Sequence, residues 1–252
     1  EENRDRPFFL YLAHYAVHTP IMAKPELVNN YSAKAPDKLR GQSDPEYAAM
    51  IESVDDSVGA ILESLKRLNL DDNTIVVFTS DNGGARHYSN YPWRGEKGNF
   101  YEGGIRVPAI VKWPGRIPSG VTIDAVIISP DFYPTLLDLA GLPLRPNQHL
   151  DGLSLTELLT NGVPLQREAV FWHFPHYINK NIDMRFPTST IRKGDWKLVE
   201  YLEDGHIELY NLSKDPGETS DLARSSLDKA EELRADLVDF RIRTQAQSLR
   251  PR

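Results

Sequence analysis

Cysteine is absent from the 252 residues, which removes disulfides, thiolate metal sites and a cysteine nucleophile and leaves the redox compartment open. No run is long and apolar enough to cross a bilayer as a helix. An excess of basic charge is missing too: 29 Lys and Arg stand against 36 Asp and Glu, for a net charge of -7. The signs are interspersed, so no basic patch argues for nucleic acid. Any anion bound here must be held by local cations, against the long-range field of the chain. There is no signal peptide, and the opening Glu1-Glu2-Asn3-Arg4-Asp5-Arg6 reads as mid-protein sequence, hence a fragment.

What is present is 40% hydrophobic and 26% charged, the balance of a globular chain able to bury a core as one large domain or two unequal ones. Its most informative stretch is Thr74 to Arg106. The β-branched and aromatic run Ile75 to Thr79 suits a buried strand. It breaks into Ser80-Asp81-Asn82-Gly83-Gly84, where glycines free the backbone to turn. On a regular strand Asp81 and Asn82 point to opposite faces; if the strand stops there, both oxygens converge beyond its carboxyl end, where open α/β sheets place ligands. A carboxylate beside an amide carbonyl is hard-donor chemistry suited to calcium or magnesium. By itself Asp81-Asn82-Gly83-Gly84 reads as a turn after a strand. Downstream lie Arg94-Gly95-Glu96-Lys97-Gly98 and Tyr101-Glu102-Gly103-Gly104-Ile105-Arg106-Val107-Pro108, a glycine-dense loop carrying cations.

These segments, in this order and with short gaps, resemble the second half of a type I sulfatase of the alkaline phosphatase superfamily. The resemblance implies that Asp81 and Asn82 are ligands of a divalent cation, calcium in preference to magnesium, and that Lys97 contacts the sulfate. Pro7 to Ala13 reads as a buried strand, and His18 after it matches the family's sulfate-contacting histidine; His14 has no such match. The family's Pro-Thr-Leu-Leu-Asp-Leu-Ala-Gly helix recurs at Pro134 to Gly141. So do its Asp151-Gly152-Leu153-Ser154-Leu155 turn and, near the end, Glu208-Leu209-Tyr210-Asn211-Leu212. The likeness covers nearly the whole chain.

The coarse organisation is α/β. A partial layered α/β sulfatase-type domain over residues 1–166 is followed by a smaller subdomain, 167–252, with a short antiparallel sheet and a terminal helix. Residues 23–44 read as a surface loop. Met50, Ile51, Val54, Val58, Ile61, Leu62 and Leu65 form the apolar face of a helix, with Asp55 and Asp56 opposite. A strand is expected at Ala109 to Trp113 and another apolar run at Val121 to Ile128. Asp131 opens a helix ending near Ala140, favoured there by the helix dipole. Short strands follow at Ala169 to Trp172, Ser189 to Arg192, Trp196 to Tyr201 and Ile207 to Tyr210, then a helix from Leu227 to Arg243. His173 and His176, in an aromatic stretch, are candidates for lining a sugar or aryl pocket, or equally for packing the fold.

The resemblance implies hydrolysis of a sulfate ester of an aryl or carbohydrate substrate, with Lys97 and His18 as catalytic cations. It also implies export to the periplasm or outside. The family's nucleophile, a formylglycine made from cysteine or serine in a Cys/Ser-x-Pro-Ser-Arg segment, is not in this sequence. Nor are its paired N-terminal aspartates. The expected partners are therefore a sulfated small molecule or glycan and the missing N-terminal half of the same fold, without which the isolated chain is expected to be inactive. Two alternatives stay open: a non-catalytic remnant binding an anionic glycan or protein, and a phosphatase or phosphodiesterase of the same superfamily.

Overall fold

A computed structural model describes residues 2–36, 43–85, 88–177 and 187–249. They form two compact units, one drawn from Glu1–Ser32, Pro45–Phe78 and Ala109–Arg167, the other from Ala33–Asp44, Thr79–Pro108 and Glu168–Arg252. Residues 79–108, which the sequence order attaches to the first part of the chain, thus group with its last part.

In the first unit, α1 (Pro25–Ser32) packs on α2 (Pro45–Arg67), a helix that starts with proline in its first turn and ends on Lys66 and Arg67. On α2, Met50 and Leu65 are buried and Val54, Val58, Ile61 and Leu62 half-buried, while Asp55 and Asp56 face water. Ile51, expected on the apolar face, is exposed. Strand β1 (Val76–Thr79) pairs with β2 (Ala109–Lys112). Helix α4 (Phe132–Leu139) follows a short 3-10 turn and packs near α5 (Thr156–Asn161), which stops at Gly162 with φ 69°.

Asp131 does more than favour the start of α4. It is fully buried, and its carboxylate accepts from Arg167 at 2.5 and 3.0 Å and from the backbone N–H groups of Ile128 and Leu153 at 2.8 and 2.9 Å. One side chain thereby ties three separate stretches together.

The second unit is built on an antiparallel sheet, β3 (Val170–Phe174), β4 (Thr188–Lys193), β5 (Trp196–Tyr201) and β6 (Ile207–Asn211), in sequential order. Its register places Ile191, Leu198 and Leu209 side by side. They pack against Ala230, Leu233 and Leu237 of α6 (Leu227–Arg243), and Phe171 stacks on Phe240 at 4.3 Å. Glu200 reaches the same helix and is paired with Arg234 and Arg241.

Because strand side chains alternate, the neighbouring positions face the other way. There Lys197, Val199, Glu208 and Tyr210 are covered by residues of the 90–106 segment rather than by solvent: Tyr101 packs on Val199 and Tyr210 and donates to Glu208 at 2.5 Å, and Glu102 meets Lys197. The sheet therefore lies between a helix and a loop, which explains how residues 79–108 come to belong to this unit.

Four readings of the sequence are corrected. Pro7 to Ala13 forms no strand and has no ladder partner among the described residues, and its apolar side chains are exposed, Phe9 at 77% and Tyr11 at 81%. Val121 to Ile128, read as an apolar run, is likewise outside any ladder among the described residues. Composition can favour an extended backbone, but a strand exists only where a neighbour accepts its hydrogen bonds. Within the expected loop 23–44 lies α1, whose Leu27, Val28 and Tyr31 make a stripe too short to show a period in sequence; residues 37–42 fall outside the described ones. Finally, the glycine-dense stretch after Tyr101 contains a helical turn, α3 (Glu102–Ile105).

Candidate functional site

The site builds outward from the end of β1. Immediately after Thr79 the Ser80 hydroxyl donates to the Asn82 carbonyl at 3.1 Å, and the Asn82 side-chain amide donates to the Gly83 carbonyl at 2.9 Å. That bond occupies one N–H of the Asn82 amide and identifies Oδ1 as the acceptor atom left to meet a cation. Asp81 is exposed and Asn82 half-buried. The turn closes because Gly83 N–H donates to Gly104 O at 3.0 Å, backbone against backbone. A Cβ on Gly83 would sit 1.8 Å from the Gly103 carbonyl oxygen, and one on Gly104 2.2 Å from that of Asn99, so both positions need glycine for close approach rather than for φ.

Lys97 is brought to the same turn by its backbone. Its N–H donates to Gly84 O at 2.9 Å. Asn90 braces the arrangement, accepting from Gly84 N–H at 2.8 Å and donating to the carbonyls of Gly84 and Gly95, both at 3.1 Å. Asn99 adds a local brace by accepting from Glu96 N–H at 3.0 Å. The Lys97 side chain is half-buried, and its ammonium has no hydrogen-bond or ion-pair partner among the described residues. A cation left uncommitted beside an Asp-Asn turn is chemically suited to an anion that also touches a bound metal.

Behind this loop, Arg94 lies 4.0 Å over the Tyr101 ring and donates to Tyr210 Oη at 2.7 Å and to Glu218 O at 2.9 Å. Tyr101 and Tyr210 both donate to Glu208, and burial, followed by that bond, pushes each phenol far up, so both stay protonated donors at any working pH. Arg94 is thereby explained as a structural cation.

The remaining candidates belong to other segments of the chain. His18 belongs to the first unit; it is exposed, and its Nδ1 sits 3.0 Å from the Thr19 carbonyl, which requires Nδ1–H and leaves Nε2 open. His173 has both ring nitrogens engaged, with Ser189 Oγ at 2.5 Å and the Gln247 carbonyl at 2.7 Å, inside a ladder strand. His176 is exposed and edge-on to Phe174 at 5.2 Å. His87 falls outside the described residues.

The donor chemistry at Asp81 and Asn82 fits a hard cation: one exposed carboxylate and one amide oxygen whose nitrogen is occupied. Two side chains fall short of the roughly six to eight oxygens calcium takes. Among the described residues no group of three or more His, Cys, Asp or Glu side chains is placed to hold a metal. The braces supplied by Asn90, Glu102 and Lys197 escaped sequence reasoning: Asn90 acts on backbone groups within its own loop, and Glu102 and Lys197 meet across 95 residues.

The chain is similar to known proteins over most of its length. Residues 1–142 match the family model "Sulfatase", and residues 91–246 match "N-sulphoglucosamine sulphohydrolase, C-terminal". A sulfatase of Formosa agariphila is 41% identical over 239 residues, covering 86% of this chain and 42% of that protein. The solved structure of Ps i-CgsB in complex with k-i-k-neocarrahexaose superposes with a TM-score of 0.80 at 32% identity, over 97% of this chain and 51% of that one. A protein solved with its substrate D-glucosamine-2-N,6-O-disulfate gives a TM-score of 0.70 at 28% identity, over 83% of this chain and 42% of that one. The chain thus spans about half the length of the relatives it matches.

Proposed function

The chain belongs to the sulfatase family, and from that premise we propose that it supplies one half of a sulfate-ester hydrolase acting on a sulfated carbohydrate or aryl sulfate. The observation that carries the reading is the clasp at residues 80–104, which holds an Asp-Asn pair and an uncommitted lysine on one glycine-stapled loop. A sugar substrate is supported by the neocarrahexaose and glucosamine disulfate bound to two of its structural relatives.

In this reading Asp81 and Asn82 are two of the ligands of a calcium ion, with magnesium as the second choice. Such a cation, when bound, supplies an electrostatic clamp on sulfate oxygens. Lys97 places a preorganised positive charge where negative charge gathers on the sulfuryl group. His18, whose Nδ1–H is held by the Thr19 carbonyl, serves as a second donor to the sulfate or to the leaving oxygen through Nε2 when the ring is an imidazolium. His176 remains able to meet a substrate ring, whereas His173 is held as part of the sheet. The formylglycine nucleophile and the other metal ligands belong to the complementary half of the fold, which is also the partner for the exposed Phe8 to Leu12 stretch. The isolated chain is accordingly inactive, and the complete protein works in the periplasm or outside the cell. Among the described residues no helix is long and apolar enough to cross a membrane.

Calorimetric titration of calcium into the completed protein tests the ligand assignment. Asp81→Ala and Asn82→Ala should each weaken calcium binding by at least about tenfold. Unchanged affinity in both variants would remove these residues from the metal site.

A further inference from the structure

Three ionisable side chains that the proposed chemistry does not use lie buried together in the second unit. Lys197, in the middle of β5, is fully buried, as is Glu218, and Glu102 is 2% exposed. The Lys197 ammonium is 2.9 Å from Glu218 Oε1, as an ion pair rather than an aligned hydrogen bond, and it donates to Glu102 Oε1 at 3.1 Å. The other oxygen of Glu218 accepts the backbone N–H of Glu102 at 2.6 Å. Arg106 and Arg192 each approach Glu102 Oε2 at 3.6 Å. Two carboxylates face one buried lysine, with two part-exposed arginines completing the balance.

Burying such a cluster is a poor way to gain stability, since well-packed apolar side chains of similar volume do as well or better. What it does supply is a fixed position for α3, pinned at its first residue through both side chain and backbone. Helix α3 in turn carries the atoms that close the candidate site: Gly104 O takes the Gly83 N–H, and Gly103 N–H donates to Arg94 O at 2.7 Å. A continuous run of polar contacts therefore leads from Lys197 through Glu102 and α3 to the turn bearing Asp81 and Asn82 and to the loop bearing Lys97.

We propose that Lys197, with Glu102 and Glu218, is a positioning device for the reaction centre: it fixes α3, and through α3 the separation and orientation of the Asp81-Asn82 turn and the Lys97 loop. The functional meaning of this rests on the assignment of those three residues to the site; the mechanical linkage does not. Lys197 touches neither substrate nor metal and acts only through other residues.

Hydrogen exchange in the completed protein, comparing wild type with Lys197→Met, tests the linkage. Exchange should accelerate by about tenfold or more in peptides covering 80–85 and 94–106, and by less than about twofold in the rest of the sheet and in α6. Uniform acceleration throughout the unit, tracking lost stability, would overturn the proposal, as would no change at the loop. Where Lys197→Met does not fold, Glu218→Gln, which retains an acceptor for the Glu102 N–H, takes its place, with the same localised pattern expected and the same two outcomes overturning it. Calcium affinity measured on the same proteins separates the two levels of inference. Wild-type protein that binds no calcium contradicts the ligand assignment while leaving the exchange pattern to decide the linkage. Wild type and Lys197→Met binding calcium equally tightly contradicts the positioning role.

Discussion

Gly83→Ala probes the clasp with a single methyl group. The added Cβ would lie 1.8 Å from Gly103 O, 2.8 Å from Gly103 C and 3.2 Å from Gly104 Cα, all backbone atoms that cannot swing aside as a side-chain tip can. To restore ordinary contact the two segments must part by about 1.5 Å, which also breaks the Gly83 N–H to Gly104 O bond. Overpacking of this kind costs about 1–3 kcal/mol and the lost hydrogen bond about 0.5–1.5 kcal/mol, so a loss of about 2–4 kcal/mol is expected. For a chain of this size that lowers Tm by roughly 4–16 °C. The displacement also far exceeds the tolerance of about 0.2 Å on metal–ligand distances, so calcium affinity should fall with stability. Gly59→Ala is the matched control: it lies within α2, and its added Cβ meets nothing within 4 Å. The control should be neutral or stabilising by up to about 1 kcal/mol. Thermal melts and calcium titrations of both variants decide the matter. A Gly83→Ala protein that melts and binds like wild type would refute the backbone-to-backbone closure of the site.

Further substitutions test the supporting structure. Asp131→Ala strands the Arg167 guanidinium and two backbone N–H groups in the interior, and should cost about 3–5 kcal/mol in urea unfolding. Leu237→Ala, at the fully buried contact of α6 with the sheet, should cost about 2–5 kcal/mol in the same assay. Glu218 has a pH signature. Burial raises its carboxyl above the ordinary 4.5, with Lys197 only partly opposing, so the native state holds this proton more tightly than the unfolded chain does. Its contribution to stability is thus greatest below 4.5 and is lost as pH rises through the raised value. Stability measured as pH rises from 4.5 should show that decline in wild type and a flatter profile in Glu218→Gln.

Local order was legible in the sequence wherever it is decided locally. Helix α6 and strand β5 fall where periodicity and turn residues put them, because Leu233, Leu237 and Phe240 share a helix face and Lys193-Gly194-Asp195 marks a hairpin turn. The Pro7 to Ala13 reading failed for the opposite reason: pairing is a property of two segments, and sequence shows one. The burial of Lys197 was not read from the sequence, since a strand lysine usually faces solvent. A signal was nevertheless available. Trp196 and Leu198 alternate with Val199 and Tyr201, so both faces of β5 carry large apolar groups, the mark of a strand covered on both sides. Motif order alone put Asp81, Asn82 and Lys97 in one loop, whereas the contact of Glu102 with Glu218 spans 116 residues, depends on the folded path of the chain and left no local trace.

Release of 4-nitrophenol from 4-nitrophenyl sulfate tests the central claim most directly. The chain should be assayed alone, and then completed by an N-terminal sulfatase half produced with the formylglycine-generating enzyme. Turnover should arise only on completion, disappear when the divalent cation is chelated, and fall in kcat by about a hundredfold to a thousandfold in Lys97→Ala. Turnover by the chain alone, or a completed enzyme whose rate ignores both Lys97→Ala and Asp81→Ala, would contradict the assignment of the 80–104 loop to the sulfate site.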